Sequence, residues 1–263
     1  MTPDYSTIEV DVDEPDAAVG RLALNRPAKL NPLGYETLRE LRDAARWFDD
    51  HTDCKVVVVS GRGRVFSAGA DIAAFGGTEP AGSTTPVGRQ ASDMGRRMAD
   101  AIEAMRAVTV ARIQGWCVGG ALVLAAACDL RVVADDARFS IPEIDLGIPL
   151  AWGGIPRLVR EIGPTRTKEL VMTCRPFDAH EAQAMGFVNR VVAEAELDTA
   201  VNDLVGTLTD KAGYALAATK AHTNAVTAQM VGMSRTWADA DGLEHGLRDP
   251  EGRAAAARYL DRL

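Results

Sequence analysis

The segment IQGWCVGGALVLAAACDL, Ile113 to Leu130, runs from a strand through two glycines into a helix of small apolar side chains. A helix that is apolar all round is a buried one. The free N–H groups of its first turn, at the positive end of its dipole, face the glycine turn. An oxygen anion placed there is stabilised, although Gly119 and Gly120 can equally serve only to let the helix pack closely on a sheet. A second segment, GRVFSAGADI, Gly63 to Ile72, is another strand end turning through a glycine, able to supply a further N–H from Ala70. Two convergent backbone donors make an oxyanion hole, commonly the largest catalytic contribution in thioester and acyl chemistry.

Other chemistries find less support. His51, His180, His222 and His245 fall in no catalytic spacing, no Ser-His-Asp arrangement is evident, and no metal site is expected. Cys54, Cys117, Cys128 and Cys174 are widely spaced without a CxxC pair and read as reduced core residues. A net charge of -8 argues against nucleic acid or an anionic membrane as partner. The acidic N-terminus lacks a basic start followed by an apolar run, so it does not read as a secretory signal, and a cytoplasmic location is expected. Ala121 to Cys128, the longest apolar stretch, is far short of the ~20 residues that span a bilayer.

The elements that must position these groups follow from periodicity. Thr7 to Val12, Val19 to Leu24, Lys55 to Ser60, Val108 to Gln114 and Leu130 to Ala134 read as strands, with a short extended piece beginning at Phe139. Leu38, Leu41, Ala45 and Phe48 recur at helical spacing within Gly34 to Asp50. Further helices are expected at Gln90 to Arg106, Ile155 to Ile162, Ala179 to Met185, Glu194 to Lys211, Ala215 to Met230 and in the alanine-rich tail from Glu251. Gly76 to Gly88, rich in Gly, Pro, Ser and Thr, reads as a surface loop. Strands and helices alternate first and helices alone come last, which predicts a layered α/β core with a helical C-terminal region.

Five segments together resemble the enoyl-CoA hydratase/isomerase family, the crotonases: NRPAKLNPL (Asn25 to Leu33), FSAGADI (Phe66 to Ile72), GWCVGGALVLAAACD (Gly115 to Asp129), IPEIDLGIPLAWGGIPRL (Ile141 to Leu158) and AHEAQAMGFVNRVV (Ala179 to Val192). The motifs stand in the family's order and cover roughly Ile8 to Lys220. The resemblance implies a ββα spiral core over 1–200, a helical oligomerisation region over 201–263, and a homotrimer or dimer of trimers. It also implies an acyl-CoA or enoyl-CoA substrate, the coenzyme A being part of that substrate and no further cofactor needed. On the family pattern the oxyanion donors are the N–H groups of Ala70 and Gly120, with Gly119 beside them. Ala28, Lys29 and Leu30 line the path of the coenzyme A, and Ala68, Asp71 and Ile72 run beside the thioester. Asp71 reads as a turn and cap residue rather than a base.

Hydratases of the family carry two glutamates, and this chain keeps only the second, Glu143, with Val123 at the position of the first. Adding water is work that two carboxylates share well. Moving a double bond from the 3 to the 2 position needs one base, which takes a proton from C2 and returns it at C4. Glu143 among Ile141, Pro142 and Ile144 is expected to be partly desolvated and to shuttle protons near neutrality, the plain alternative being a capping glutamate in a turn. Dienoyl isomerases and dehalogenases of the family place an aspartate where this chain has Ala151, and Asp145 is a weak second candidate. The resemblance therefore points to a 3-enoyl-CoA to trans-2-enoyl-CoA isomerase, the alternatives being a hydratase with one glutamate and a non-catalytic acyl-CoA-binding protein. In the tail Glu251-Gly252 fits the family's turn, but Tyr259 and Leu260 stand where a lysine-arginine pair is usual, which leaves Arg253 and Arg258 as the candidates for a phosphate contact.

Overall fold

In the Lys55 to Ser60 run, four consecutive valines need apolar cover on both faces of a strand, because successive side chains point to opposite sides. The computed structural model, which describes residues 2–13, 17–71, 86–234 and 236–262, supplies both. Val57 and Val59 face one core and Val56 and Val58 the other.

Their strand, β3 (Val56–Gly61), lies inside a six-stranded sheet with β1 (Ile8–Val12), β2 (Val19–Leu24), β4 (Val108–Ile113), β6 (Leu130–Ala134) and β9 (Arg190–Val192), in the order β1-β2-β3-β4-β6-β9. Only the β1–β2 pair is antiparallel. A second sheet, β5-β7-β8, joins Trp116–Val118, Arg138–Ser140 and Phe177–Asp178.

The larger core lies between the sheet and α1 (Tyr35–His51), α3 (Met94–Ala104), α4 (Gly120–Ala127) and α5 (Gly154–Thr173). The smaller core lies under α7 (Leu197–Thr209), whose Leu197, Val201, Leu204 and Val205 pack on Val56, Val58, Val110 and Val132. In α1, Leu38, Leu41, Ala45 and Phe48 are buried, as their spacing predicts, and every residue of α4 is buried.

Several boundaries differ from the sequence expectation. The helix read over Gln90 to Arg106 is two, α2 (Pro86–Ser92) and α3, separated at Asp93, whose carboxylate is taken up by Arg96 and Arg97. The helix read as Ile155 to Ile162 continues to Thr173, kinked where Gly163 adopts φ 77° immediately before Pro164. The chain also returns to the main sheet late, through β9, after α6 (Ala179–Ala184). Strands of three residues carry too few side chains to show a period of two.

The chain ends in α8 (Gly213–Met230), α9 (Asp239–Arg248) and α10 (Pro250–Leu260). Among the described residues no helix is long and apolar enough to cross a membrane. The loop read over Gly76 to Gly88 lies largely outside the described residues.

Candidate active site

The site begins at Asn31, a residue with φ 52° that is almost wholly buried. Its side-chain oxygen accepts the Arg26 N–H at 2.9 Å, and its amide nitrogen donates to the carbonyls of Arg62, Val65 and Phe66 at 2.9 to 3.1 Å. These bonds fasten the Asn25 to Leu33 loop to the end of β3. Next to them the chain at 67–71 turns at Gly69, φ 88°, between isolated bridges made by Ser67 and Ala70. Leu33 N–H donates to the Gly69 carbonyl at 2.8 Å, and Asp71 N–H donates to the Leu33 carbonyl at 3.3 Å. On its other side Ser67 N–H donates to the Trp116 carbonyl, and Val118 N–H donates to the Ser67 carbonyl.

The Leu33 carbonyl takes Asp71 N–H and leaves Ala70 N–H unused, and the turn at Gly69 brings this segment against the Val118 carbonyl, where β5 leads into Gly119 and Gly120. Gly119 N–H is used by the Ser140 carbonyl at 2.9 Å, and Gly120 opens α4. Among the described residues neither Ala70 N–H nor Gly120 N–H has a protein acceptor, and both residues line one cavity.

That cavity, of about 220 Å³, is walled by apolar side chains, among them Val123, Leu146, Ile148, Ala151 and Trp152. The C-terminal helices close it with Leu243, Leu247, Ala256 and Leu260. Glu143 is the one ionisable side chain on its described wall. A wider vestibule shares Ala70, Glu143, Leu146 and Ile148 with the cavity and adds Lys29, Leu30, Ala68, Asp71, Trp116, Gly119, Ser140 and Tyr259. Ala70 and Glu143 thus stand where a polar approach meets an apolar chamber.

Glu143 is 9% exposed, and its Oε2 is buried with no hydrogen-bond partner among the described residues. Burial pushes its carboxyl up to about 7. Gly119 explains how the carboxylate comes so close to the helix start: at φ 52° and ψ -116° the position suits glycine alone, and a Cβ there would sit 2.5 Å from Glu143 Oε1. A carboxyl that is half protonated near neutrality, beside two unused N–H donors, can remove and return a proton on carbon while an adjacent oxygen holds negative charge.

The other residues singled out in the sequence fall as follows. Lys29, Leu30, Ala68, Asp71 and Gly119 line the vestibule. Ala28 sits exposed in the 3-10 turn Pro27–Lys29 and lines neither chamber. Ile72 lies outside the described residues, as does the segment that Asp71 was expected to cap. Asp71 itself stands 3.6 Å from Arg26. Asp145 is exposed and lines neither chamber, because the 142–147 segment is a series of turns rather than extended chain. Arg253 and Arg258 are exposed on α10. All four histidines are exposed and all four cysteines are buried and free.

Two residues of the site escaped sequence reasoning. Trp152 packs in the cavity wall, and the Tyr259 phenol lines the vestibule, pushed up by burial and then by the carboxylates of Asp145 and Glu143. For Tyr259 the sequence showed only that it stands where the family usually has a lysine-arginine pair, because it lies on the last helix, far along the chain from Glu143, with which it shares the vestibule. For Trp152 the signal was a tryptophan placed against Gly153-Gly154 in a turn.

The chain is similar to known proteins over most of its length. The family model described as enoyl-CoA hydratase/isomerase matches residues 14–263. A crotonyl-CoA hydratase from Syntrophomonas wolfei is 34% identical, over 84% of this chain and 82% of its own. A peroxisomal Delta(3,5)-Delta(2,4)-dienoyl-CoA isomerase from Arabidopsis thaliana is 33% identical, over 82% of this chain and 81% of its own. Among solved structures, an enoyl-CoA hydratase from Mycobacterium avium subsp. paratuberculosis superposes with a TM-score of 0.85 at 25% identity, covering 98% of this chain and 100% of that one.

Proposed function

The chain belongs to the enoyl-CoA hydratase/isomerase family, with the crotonase α/β fold and a helical C-terminal region, and from that premise we propose that it shifts the double bond of a 3-enoyl-CoA to the trans-2 position. The thioester enters through the vestibule past Lys29 and Leu30, and its carbonyl oxygen accepts hydrogen bonds from the N–H groups of Ala70 and Gly120. Glu143, as carboxylate, takes a proton from C2. The electron pair left behind spreads over the dienolate onto the thioester oxygen, and the carboxylic acid so formed delivers its proton to C4. One proton leaves C2 and one arrives at C4, so no water is consumed.

A single observation carries this reading: Glu143 is the only carboxylate on the described cavity wall, and the Val123 and Ala151 positions present apolar surface there. By the family resemblance, the Val123 position is where hydratases carry a second glutamate to share the work of water addition, and the Ala151 position is where dienoyl isomerases and dehalogenases carry an aspartate. The hydratase name borne by the Syntrophomonas wolfei relative at 34% identity favours a second reading, water addition by Glu143 alone. On either reading the unit at 1–200 carries the catalytic core, and 201–263 serves assembly into a homotrimer or dimer of trimers and closure of the cavity, although the boundary falls within α7, whose Val201, Leu204 and Val205 still pack on the main sheet.

A side-by-side assay of the purified protein on a 3-enoyl-CoA and a trans-2-enoyl-CoA decides between the two. Conjugation gained from the first with little loss of the second, both abolished in Glu143→Gln, is the expected outcome. Faster hydration of the 2-enoyl substrate overturns the isomerase assignment. If neither substrate changes while acyl-CoAs still bind, the protein is a binder and not a catalyst.

A further inference from the structure

Trp152 has the largest side chain on the cavity wall, and its backbone is left-handed at φ 60°, a conformation that a bulky residue holds only when its surroundings impose it. Here they do. Asp239 accepts the Gly153 N–H at 2.7 Å. Arg157, 2% exposed, donates from Nη1 to the carbonyls of Trp152 and Gly153 at 3.4 and 3.3 Å. Its Nη2 is fixed in turn by Asp100 at 2.9 Å and by Glu103, both on α3.

Glycines receive the indole on two sides. A Cβ on Gly95 would lie 2.0 Å from Trp152 Cδ2, and a Cβ on Gly120 would lie 2.1 Å from Trp152 Cζ3. The ring is therefore wedged between α3 and the first turn of α4, filling space that would otherwise extend the apolar cavity. An arginine network buried this deeply, two glycines and a strained turn all serve to keep one ring in place.

We infer that Trp152 is a specificity-determining residue that sets the largest acyl group the cavity accepts, and that this group is an apolar one of roughly eight or nine carbons. The inference rests on the acyl thioester reading above and adds the substrate class. An engineered dry cavity of about 150 Å³ takes benzene, a six-carbon ligand. By proportion the space of about 220 Å³ beside Glu143 takes roughly nine carbons. The lining leaves no place for a second charge or a polar substituent, since its described side chains other than Glu143 are apolar.

The test measures binding of saturated acyl-CoAs, from butyryl to tetradecanoyl, by titration calorimetry to the wild-type protein, Trp152→Phe and Trp152→Ala. Each added methylene that finds room strengthens binding about fourfold. The wild type is expected to gain in this way up to about the nonanoyl thioester and then to level off or weaken. The break moves out by two or more carbons in Trp152→Ala and by less in Trp152→Phe.

A break at the same length in all three proteins overturns the role of Trp152, and steady strengthening through tetradecanoyl in the wild type overturns the size limit. If Trp152→Ala does not fold, Leu247→Phe fills the cavity from the α9 side and must bring the break in by a carbon or more; an unchanged break there counts against the inference. Saturated thioesters are not turned over, so the break persists even if the isomerase assignment fails. Absence of binding to any acyl-CoA sinks the thioester reading itself.

Discussion

At Glu143 a carboxyl pushed up to about 7 by burial makes both activity and stability depend on pH. In the proposed reaction the base that takes a proton from C2 is the carboxylate, so kcat/KM is expected to rise with pH through about 7 and to fall tenfold per unit well below it. At pH 8, where the wild-type carboxyl is ionised, Glu143→Gln should lower turnover by about 10² to 10⁴. For stability the sign is opposite to that of the usual paired carboxylate. The folded protein holds its proton up to about 7 whereas the unfolded chain releases it near 4.5, so the folded state binds more protons in that window and stability falls as pH rises through it. The loss amounts to about 3 kcal/mol by pH 8, and Glu143→Gln should remove it; urea unfolding of both proteins at pH 5 and 8 measures the difference, and parallel pH trends would show that Glu143 is not its source. The sequence marked this residue through its proline-glutamate turn and part of the source of its desolvation: of the three neighbours named there, Ile141 and Pro142 are buried and Ile144 is 43% exposed. The rest of the dry surroundings comes from Gly119, Leu146 and Trp152 and from helices a hundred residues away.

Between elements, the position of the Ala70 donor depends on how the Asn25 to Leu33 loop is tied to the end of β3, and Asn31 is the tie. Asn31→Ala strands the Arg26 N–H and three carbonyls, at about 1–3 kcal/mol for buried groups left unpaired, and places alanine at φ 52°, which asparagine tolerates better. A loss of about 2–4 kcal/mol in urea unfolding is expected, with a larger fall in kcat than in acyl-CoA affinity because the 68–70 segment shifts. An unchanged kcat in a stable variant would mean that the loop does not position the donor. At this scale the sequence was most legible where a single element speaks for itself: the valines of β3, the four apolar positions of α1 and the small-residue helix α4 all stand where periodicity put them. It was least legible where a piece is too short to show a period, as in β5, β8 and β9, or where one glycine redirects a helix, as at Gly163. The pairing of Ala70 with Leu33 lay between these cases, because two loop segments hydrogen-bonded to each other leave no periodic trace.

For the whole molecule, α8 is the part that the single chain explains least. Over 18 residues it buries one side chain, Lys220, which donates to the Ala107 carbonyl at 2.9 Å and pairs with Asp129 at 2.7 Å. Tyr214 is 87% exposed and Met230 76%. A helix draws most of its stability from the face it packs, and this one packs little against its own chain. Trp237 and Met172 are also largely exposed, which together with Tyr214 and Met230 leaves the C-terminal part rich in uncovered apolar side chains. The proposed assembly of three or six copies covers such surface, and sedimentation velocity at micromolar concentration should give a mass three or six times the 28.0 kDa of the chain. Tyr214→Glu with Val226→Glu, two exposed positions of α8, should drive the protein toward monomer while leaving the internal sheet intact by circular dichroism. Since α9 and α10 of the same chain wall the acyl cavity, the monomer should still bind acyl-CoA, and loss of binding on dissociation would instead place part of the site across the interface. A wild-type protein that sediments as a monomer would leave α8 held by Lys220, by the Asn224 amide donating to the Glu103 carbonyl and by its own alanines, and the assembly reading would fail with it.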